Sequence, residues 1–268
     1  MTLHVLREDD GEALPVVLLH GFPLDHRMWE ATAAGLVGPR EVLAADLPGS
    51  SGRTSSGAGS SRAQDEAPSL DDAADRLAAE LAARGTRRAV VVGLSMGGYV
   101  ALALAERHPE LVAALGLVDT KSTADTDEAR AARLQVADET ERLGTVEAVT
   151  GMATSLVGES TRAAQPAVSE QLAAWIEELD PADVAWAQRA MAARPDRTHV
   201  LAAFRGPVTV VVGDEDTVTP VAAAEHMVEA APAAQLVVVP RSGHMSAVEQ
   251  PAAVAAALSD LAQRADSA

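Results

Sequence analysis

The chain contains no cysteine, which excludes a disulfide framework, a thiolate metal site and a cysteine nucleophile together. Aromatic residues are scarce at 2%, with three tryptophans, two phenylalanines and one tyrosine in 268 residues. Any binding pocket must therefore be lined mainly by aliphatic side chains, with a few individually important rings. Positive charge is also in short supply: 21 Lys and Arg face 39 Asp and Glu, for a net charge of −18. Such a surface repels phosphate backbones and anionic headgroups, so neither nucleic acid nor a membrane surface is an expected partner. An uncharged apolar run long enough to span a bilayer is missing too. The nearest, Ala89 to Ala105, covers 17 residues with glycines at its centre, short of the ~20 that a spanning helix needs. The segment Met1 to Glu8 has no basic stretch followed by an apolar core. No secretory signal is expected, and the expected location is cytoplasmic.

What is present fits a soluble globular chain: 48% of residues are apolar and 22% charged. The length suits one large α/β domain with room for an inserted subdomain. Short Val/Leu-rich runs alternate with Ala-rich helical stretches, the pattern of βα units on a mostly parallel sheet. Candidate strands are Leu3 to Leu6, Val16 to Leu19, Val42 to Ala45, Ala89 to Val92, Ala114 to Val118, Val208 to Val212 and Leu236 to Val239. Several are unbroken apolar runs, as expected where helices cover both faces. Leu70 to Arg84, Gly97 to His108, Val221 to Ala230 and Ala252 to Arg264 read as the helices of that sheet. Ser69 is the expected N-cap of the first, with Asp71 and Asp72 favouring the positive helix end.

Two regions interrupt this rhythm. Ser50 to Ser69 is rich in Ser and Gly without periodicity and reads as a mobile loop. Lys121 to Phe204 is helical in composition, acidic, and punctuated by Pro166, Pro181 and Pro195, with Asp180-Pro181 reading as a helix start. The expected organisation is a core formed by residues 1–120 and 205–268, with 121–204 inserted as a helical cap.

The chemistry concentrates in Gly93-Leu94-Ser95-Met96-Gly97-Gly98, where a buried strand gives way to a helix. A serine at the apex of such a turn has its hydroxyl exposed, and glycines two residues either side let the backbone pack closely. The groups that would activate it follow other strands. His244 in Ser242-Gly243-His244-Met245 is the candidate general base. Asp216 in Gly213-Asp214-Glu215-Asp216 is the candidate acid, with Asp119 after the fifth strand as the alternative. His20-Gly21-Phe22-Pro23 forms a turn whose Phe22 amide, with that of Met96, is aimed at a developing oxyanion. His20 reads as support for that turn, and Asp25 as the cap of the helix bearing Met28 and Trp29. His4, His108, His199 and His226 show no partner pattern.

These segments, with Asp46-Leu47-Pro48-Gly49 and Thr219-Pro220, resemble the small, capped serine hydrolases of the α/β-hydrolase fold from residue 20 to 244. The resemblance implies a mostly parallel, eight-stranded sheet flanked by helices, a cap inserted after the sixth strand, and no metal or organic cofactor. It implies Ser95, Asp216 and His244 as catalytic triad and Phe22 and Met96 as oxyanion donors, and favours Asp216 over Asp119 by its spacing before Thr219-Pro220. The cap segments Trp186 to Met191 and Ala193 to Asp196, with His20 to Trp29, are similar to 3-oxoadipate enol-lactonase-like hydrolases. One departure is Ser50 where the family's Asp-x-Pro-Gly-His turn has histidine, beside the pocket and so bearing on substrate.

Trp175, Trp186 and Met191 are the candidate substrate contacts; for the tryptophans and Phe204 the alternative is stapling cap helices together. Arg189 and Arg194 could meet a substrate carboxylate or form a solvated face, while Lys121 and Asp125 to Glu128 read as polar surface. The expected reaction is hydrolysis of a small or medium ester or lactone through an acyl-enzyme on Ser95. A C–C hydrolase or perhydrolase would keep the same triad, and a ligand receptor on this scaffold is the non-catalytic alternative. The expected partner is a small-molecule ester or lactone, and nothing in the sequence indicates an oligomeric state.

Overall fold

The computed structural model describes residues 1–9, 11–50 and 67–268. Most of the expected Ser50 to Ser69 loop lies outside the described residues. The chain runs β1 (Thr2–Arg7), β2 (Val16–Leu19), α1 (Glu30–Gly35), β3 (Val42–Asp46), α2 (Leu70–Ala83), β4 (Ala89–Leu94), α3 (Met96–Arg107) and β5 (Val112–Val118). Seven helices follow before the next strand: α4 (Asp127–Leu143), α5 (Glu147–Thr150), α6 (Met152–Ser155), α7 (Glu159–Ala164), α8 (Pro166–Glu177), α9 (Pro181–Ala193) and α10 (Thr198–Ala203). The last elements are β6 (Val208–Gly213), α11 (Val221–Ala230), β7 (Ala234–Val239), α12 (Ser246–Glu249) and α13 (Pro251–Asp266).

The strands form one sheet in the order β1-β3-β2-β4-β5-β6-β7, with β1 antiparallel to β3 and every other pair parallel. This is an α/β-hydrolase fold with a mostly parallel sheet. All seven strands expected from the apolar runs are present, most of them longer by a residue or two. The eighth strand implied by the resemblance is not found among the described residues, so the helical insertion, expected after the sixth of eight strands, follows the fifth of seven.

The central strands β2, β4, β5 and β6 are buried along their whole length, which is why their sequences are unbroken Val/Leu runs. α3 packs against β2, β4 and β5, and α2 packs on α3. On the opposite face a Cβ built on Gly116 would lie 3.1 Å from Leu258 of α13, and α1 packs against α13. Helix starts follow capping chemistry. Ser69 Oγ accepts the Asp71 and Asp72 amides at 3.1 and 3.3 Å, Asp180 Oδ1 accepts that of Ala182 at 2.9 Å, and Pro166, Pro181 and Pro251 occupy first-turn positions. Among the described residues, no helix is long and apolar enough to cross a membrane.

Candidate active site

Parallel strands bring their C-terminal ends to one edge of the sheet. The order β2-β4-β5-β6-β7 therefore gathers the turns bearing Phe22, Ser95, Asp119, Asp216 and His244. Ser95 joins β4 to α3 with φ 50° and ψ −111°, a strained backbone for a residue with a side chain. Two glycines make the turn possible. A Cβ on Gly93 would lie 2.2 Å from the Gly97 carbonyl carbon, and one on Gly97 would lie 2.2 Å from the Leu19 oxygen. The turn is tied to its neighbours by Ser95 N–H donating to the Val118 carbonyl at 3.0 Å and Thr120 Oγ1 donating to the Ser95 carbonyl at 2.8 Å.

The three residues expected to meet do so. His244 Nε2 lies 2.9 Å from Ser95 Oγ, and His244 Nδ1 lies 2.8 Å from Asp216 Oδ2. A carboxylate only accepts, so the imidazole proton sits on Nδ1 and Nε2 is free to accept from the serine hydroxyl. Asp216 Oδ1 accepts the Val218 and Thr219 amides at 2.8 and 2.9 Å, and Oδ2 also accepts Thr219 Oγ1 at 2.7 Å. Burial opposes the Asp216 charge, yet its bonds with His244 and Thr219 outweigh burial and hold the carboxyl below its ordinary range. For His244, burial opposes the imidazolium, while the hydrogen bond and charge of Asp216 leave its pKa raised.

Asp119, the alternative acid, is directed elsewhere. Its carboxylate accepts the Gly213 and Ser246 amides, both at 3.0 Å, tying the loops that carry Asp216 and His244 to the end of β5. Burial, then the nearby Asp216 charge, pushes its pKa up to about 7.

The turn after β2 runs beside the serine, since a Cβ on Gly21 would lie 3.5 Å from Ser95 Cβ. Buried His20 braces it: Nε2 accepts the Leu47 amide at 2.9 Å and Nδ1 donates to the Gly21 carbonyl at 3.1 Å. Burial lowers the His20 pKa and favours this neutral form. Among the described residues, no protein acceptor takes the amide hydrogen of Phe22 or of Met96, the first residue of α3.

The expected substrate contacts sit in the helices between β5 and β6. Trp175, Trp186 and Phe204 are all half-buried against the core. Trp175 stacks under Arg27, whose guanidinium carbon is 5.4 Å from the ring centroid. A Cβ on Gly49 would meet Trp186 Cε3 at 3.0 Å, so this ring covers the Leu47-Pro48-Gly49 turn. Met191 is buried, with its sulfur accepting from Arg133 Nη1 at 3.4 Å across the α4–α9 seam.

Two charged residues of this region, Arg194 and Asp125, depart from expectation. Arg194 is neither a solvated face nor a free carboxylate receptor: it is buried, grips Asp125 at 2.7 and 2.9 Å, and lies 3.9 Å over the Tyr99 ring. Asp125 is accordingly not polar surface. Burial opposes its charge, but Arg194 and Arg133 hold its carboxyl well below the usual range. Arg189 on α9 bonds Glu141 and Asp138 of α4. Histidines without a sequence pattern also have carboxylate partners, His108 with Asp75 at 2.7 Å and His199 with Glu106 at 2.8 Å.

Among the described residues one group has metal-ligand chemistry, His4, His26 and Asp46, whose ligand atoms lie within 4.8 Å of one another. Its two rings stack 3.6 Å apart at 8°, and each donates to a different Asp46 oxygen, at 2.7 and 2.9 Å. Each ring nitrogen thus has an Asp46 oxygen at hydrogen-bonding distance.

Sequence reasoning missed the ties that hold the loops, chiefly Thr219, Thr120 and Glu249. A hydroxyl three residues after a candidate acid is a usable signal for Thr219. A glutamate five residues past the histidine gives none.

The sequence matches the alpha/beta hydrolase family over residues 16–257. The chain belongs to this family. It is similar in structure to a thermophilic esterase from Thermogutta terrifontis, solved with malate bound, with a TM-score of 0.86 and 36% identity over 98% of this chain and 93% of the other. The enol-lactonase from Burkholderia xenovorans LB400 shares the fold, with a TM-score of 0.80 and 22% identity over 97% and 95% of the two chains. A curated relative, the pimeloyl-acyl-carrier-protein methyl ester esterase of Aromatoleum aromaticum, is 39% identical over 105 residues, 39% of this chain and 36% of that protein. The chain matches 60% of the length of the dihydrolipoyllysine-residue acetyltransferase component of the acetoin cleaving system of Pseudomonas putida, at 28% identity over 88% of its own. It thus spans less than two thirds of either curated relative.

Proposed function

We propose that this alpha/beta hydrolase is a serine esterase or lactonase that acts through an acyl-enzyme on Ser95. The observation that carries the reading is the unbroken chain Ser95 Oγ, His244 and Asp216, at 2.9 and 2.8 Å, beside two amides with no acceptor among the described residues. His244 takes the Ser95 proton as the hydroxyl attacks a carbonyl, and Asp216 stabilises the imidazolium that forms. The Phe22 and Met96 amides receive the oxyanion, each donor being worth ~3–4 kcal/mol in the transition state. His244 then protonates the leaving alcohol or enol, and water activated by the same imidazole releases the acid.

Residues 121–204 act as the cap in this reading, with Trp175 and Trp186 as its candidate substrate contacts. The cap arginines Arg189 and Arg194 are engaged by Glu141, Asp138 and Asp125. Together with the net charge of −18, this favours a neutral ester or lactone over an anionic one. The esterase and enol-lactonase names among the similar proteins agree with that class.

The test is hydrolysis of p-nitrophenyl acetate and butyrate by wild type and Ser95→Ala, with fluorophosphonate labelling mapped by peptide mass. The expected result is turnover and labelling that both vanish in the variant. A folded wild type that neither turns over nor labels would overturn the reading and favour a ligand receptor. Peracid formation or diketone cleavage exceeding ester hydrolysis would redirect it to those reactions of the same triad.

A further inference from the structure

His244 is held by more than its side-chain partners. Glu249 is 2% exposed, and its carboxylate bonds the amides on both sides of the histidine: Gly243 N–H at 3.0 Å to each oxygen and Met245 N–H at 3.1 Å. The same carboxylate accepts the Gly158 amide at 2.9 Å, from the segment between α6 and α7. The amide of His244 donates to the Leu156 carbonyl of that segment at 2.9 Å. The approach is backbone to backbone, for a Cβ on Gly158 would lie 2.7 Å from the Gly243 nitrogen. Two residues further, the Ser160 amide bonds Glu215, the neighbour of Asp216, at 2.8 Å. A buried carboxylate that satisfies three amides of two separate loops is costly to disturb and fixes both.

We propose that Glu249 is a positioning residue for the base. By clamping the backbone either side of His244 to residues 156–158, it makes the helical insertion part of the base's mounting. The proposal rests on His244 being the base of the reaction above. The carboxylates facing the imidazole are those of Asp216, Asp119 and Glu249, each favouring its charged form.

Glu249→Gln tests it, because an amide keeps only one accepting atom and must turn a donor toward one of the two loops. Three readouts are needed: steady-state kinetics from pH 5 to 9, thermal unfolding, and the downfield proton NMR signal of His244 Nδ1–H, assigned with His244→Ala. We expect kcat to fall roughly 10–100-fold with KM nearly unchanged, the acid limb of kcat/KM to move to lower pH, and the Nδ1–H signal to shift. A lower Tm with an unaltered acid limb and NMR signal would overturn the proposal and leave Glu249 a structural residue, as would a variant identical to wild type. If the glutamine variant does not fold, Gly158→Ala presses on the same contact from the insertion side; it keeps the Glu249 charge, so it is read by kcat and the Nδ1–H signal, and an unchanged kcat and signal would overturn the proposal. The NMR signal needs no turnover, so an inactive wild type would count against the esterase reading while this contact is still tested.

Discussion

Asp216→Asn perturbs the site at a single atom, and the structure says which one. Two backbone amides, from Val218 and Thr219, converge on Oδ1 at 2.8 and 2.9 Å. An asparagine has one accepting oxygen, and those two donors will hold it at the Oδ1 position. The amide nitrogen must then occupy the Oδ2 position, facing Thr219 Oγ1 and His244 Nδ1, where the aspartate accepts at 2.7 and 2.8 Å. The threonine hydroxyl can rotate to accept, but Nδ1 can accept only by giving up its hydrogen. The imidazole proton moves to Nε2, and the atom that should take the Ser95 proton becomes a donor. A wrong tautomer of this kind lowers kcat by about 10⁴, roughly 5 kcal/mol of transition-state stabilisation. The assay is p-nitrophenyl butyrate hydrolysis at pH 8, with active-site titration to count competent enzyme and circular dichroism to confirm folding. A loss below tenfold in a folded variant would refute the tautomer argument. Asp119→Asn in the same background would then show whether the second carboxylate had taken over.

Gly97→Ala places a methyl group 2.2 Å from the Leu19 carbonyl oxygen, with backbone on both sides and no flexible side chain to yield. It should destabilise the chain by about 3 kcal/mol or more, read as a lower urea midpoint; a midpoint within error of wild type would show that β2 and α3 can separate. Asp119 offers a pH test. Its pKa is raised to about 7, so the folded chain holds a proton that the unfolded chain releases near the ordinary carboxylate value, ~4. The raised pKa therefore favours the folded state at low pH, and that contribution is lost as pH rises from about 4 to 7. Asp119→Asn should flatten stability against pH across that window, and an unchanged slope would argue against a protonated Asp119.

The sheet was readable because β2, β4, β5 and β6 are covered on both faces, which writes their burial into the sequence as unbroken apolar runs. The Ser95 turn was readable for a different reason: Gly93 and Gly97 are required by contacts within a few ångströms of their own backbone. What escaped were pairings between distant segments. Asp125 sits among acidic residues and looks solvated until Arg194, 69 positions away, folds over it. His4 has no local partner because Asp46 reaches it only when β1 pairs with β3. Met191, read as a pocket residue, meets Arg133 from another helix. Glu249 defeats sequence reading most completely, since a glutamate at the end of a short helix ordinarily faces water.

The contact between Gly97 and Leu19 joins reactivity to the timing of folding. The Ser95 hydroxyl gains its partner only when β2, β4 and α3 have closed on one another and His244, 149 residues along the chain, has arrived at 2.9 Å. On the proposed mechanism, a sheet that lacks this contact holds no activated serine. A short pulse of fluorophosphonate during refolding would therefore act as a clock, marking the instant of closure rather than gradual gain of helix. Chains trapped before that step would stay unmarked even where their secondary structure is complete.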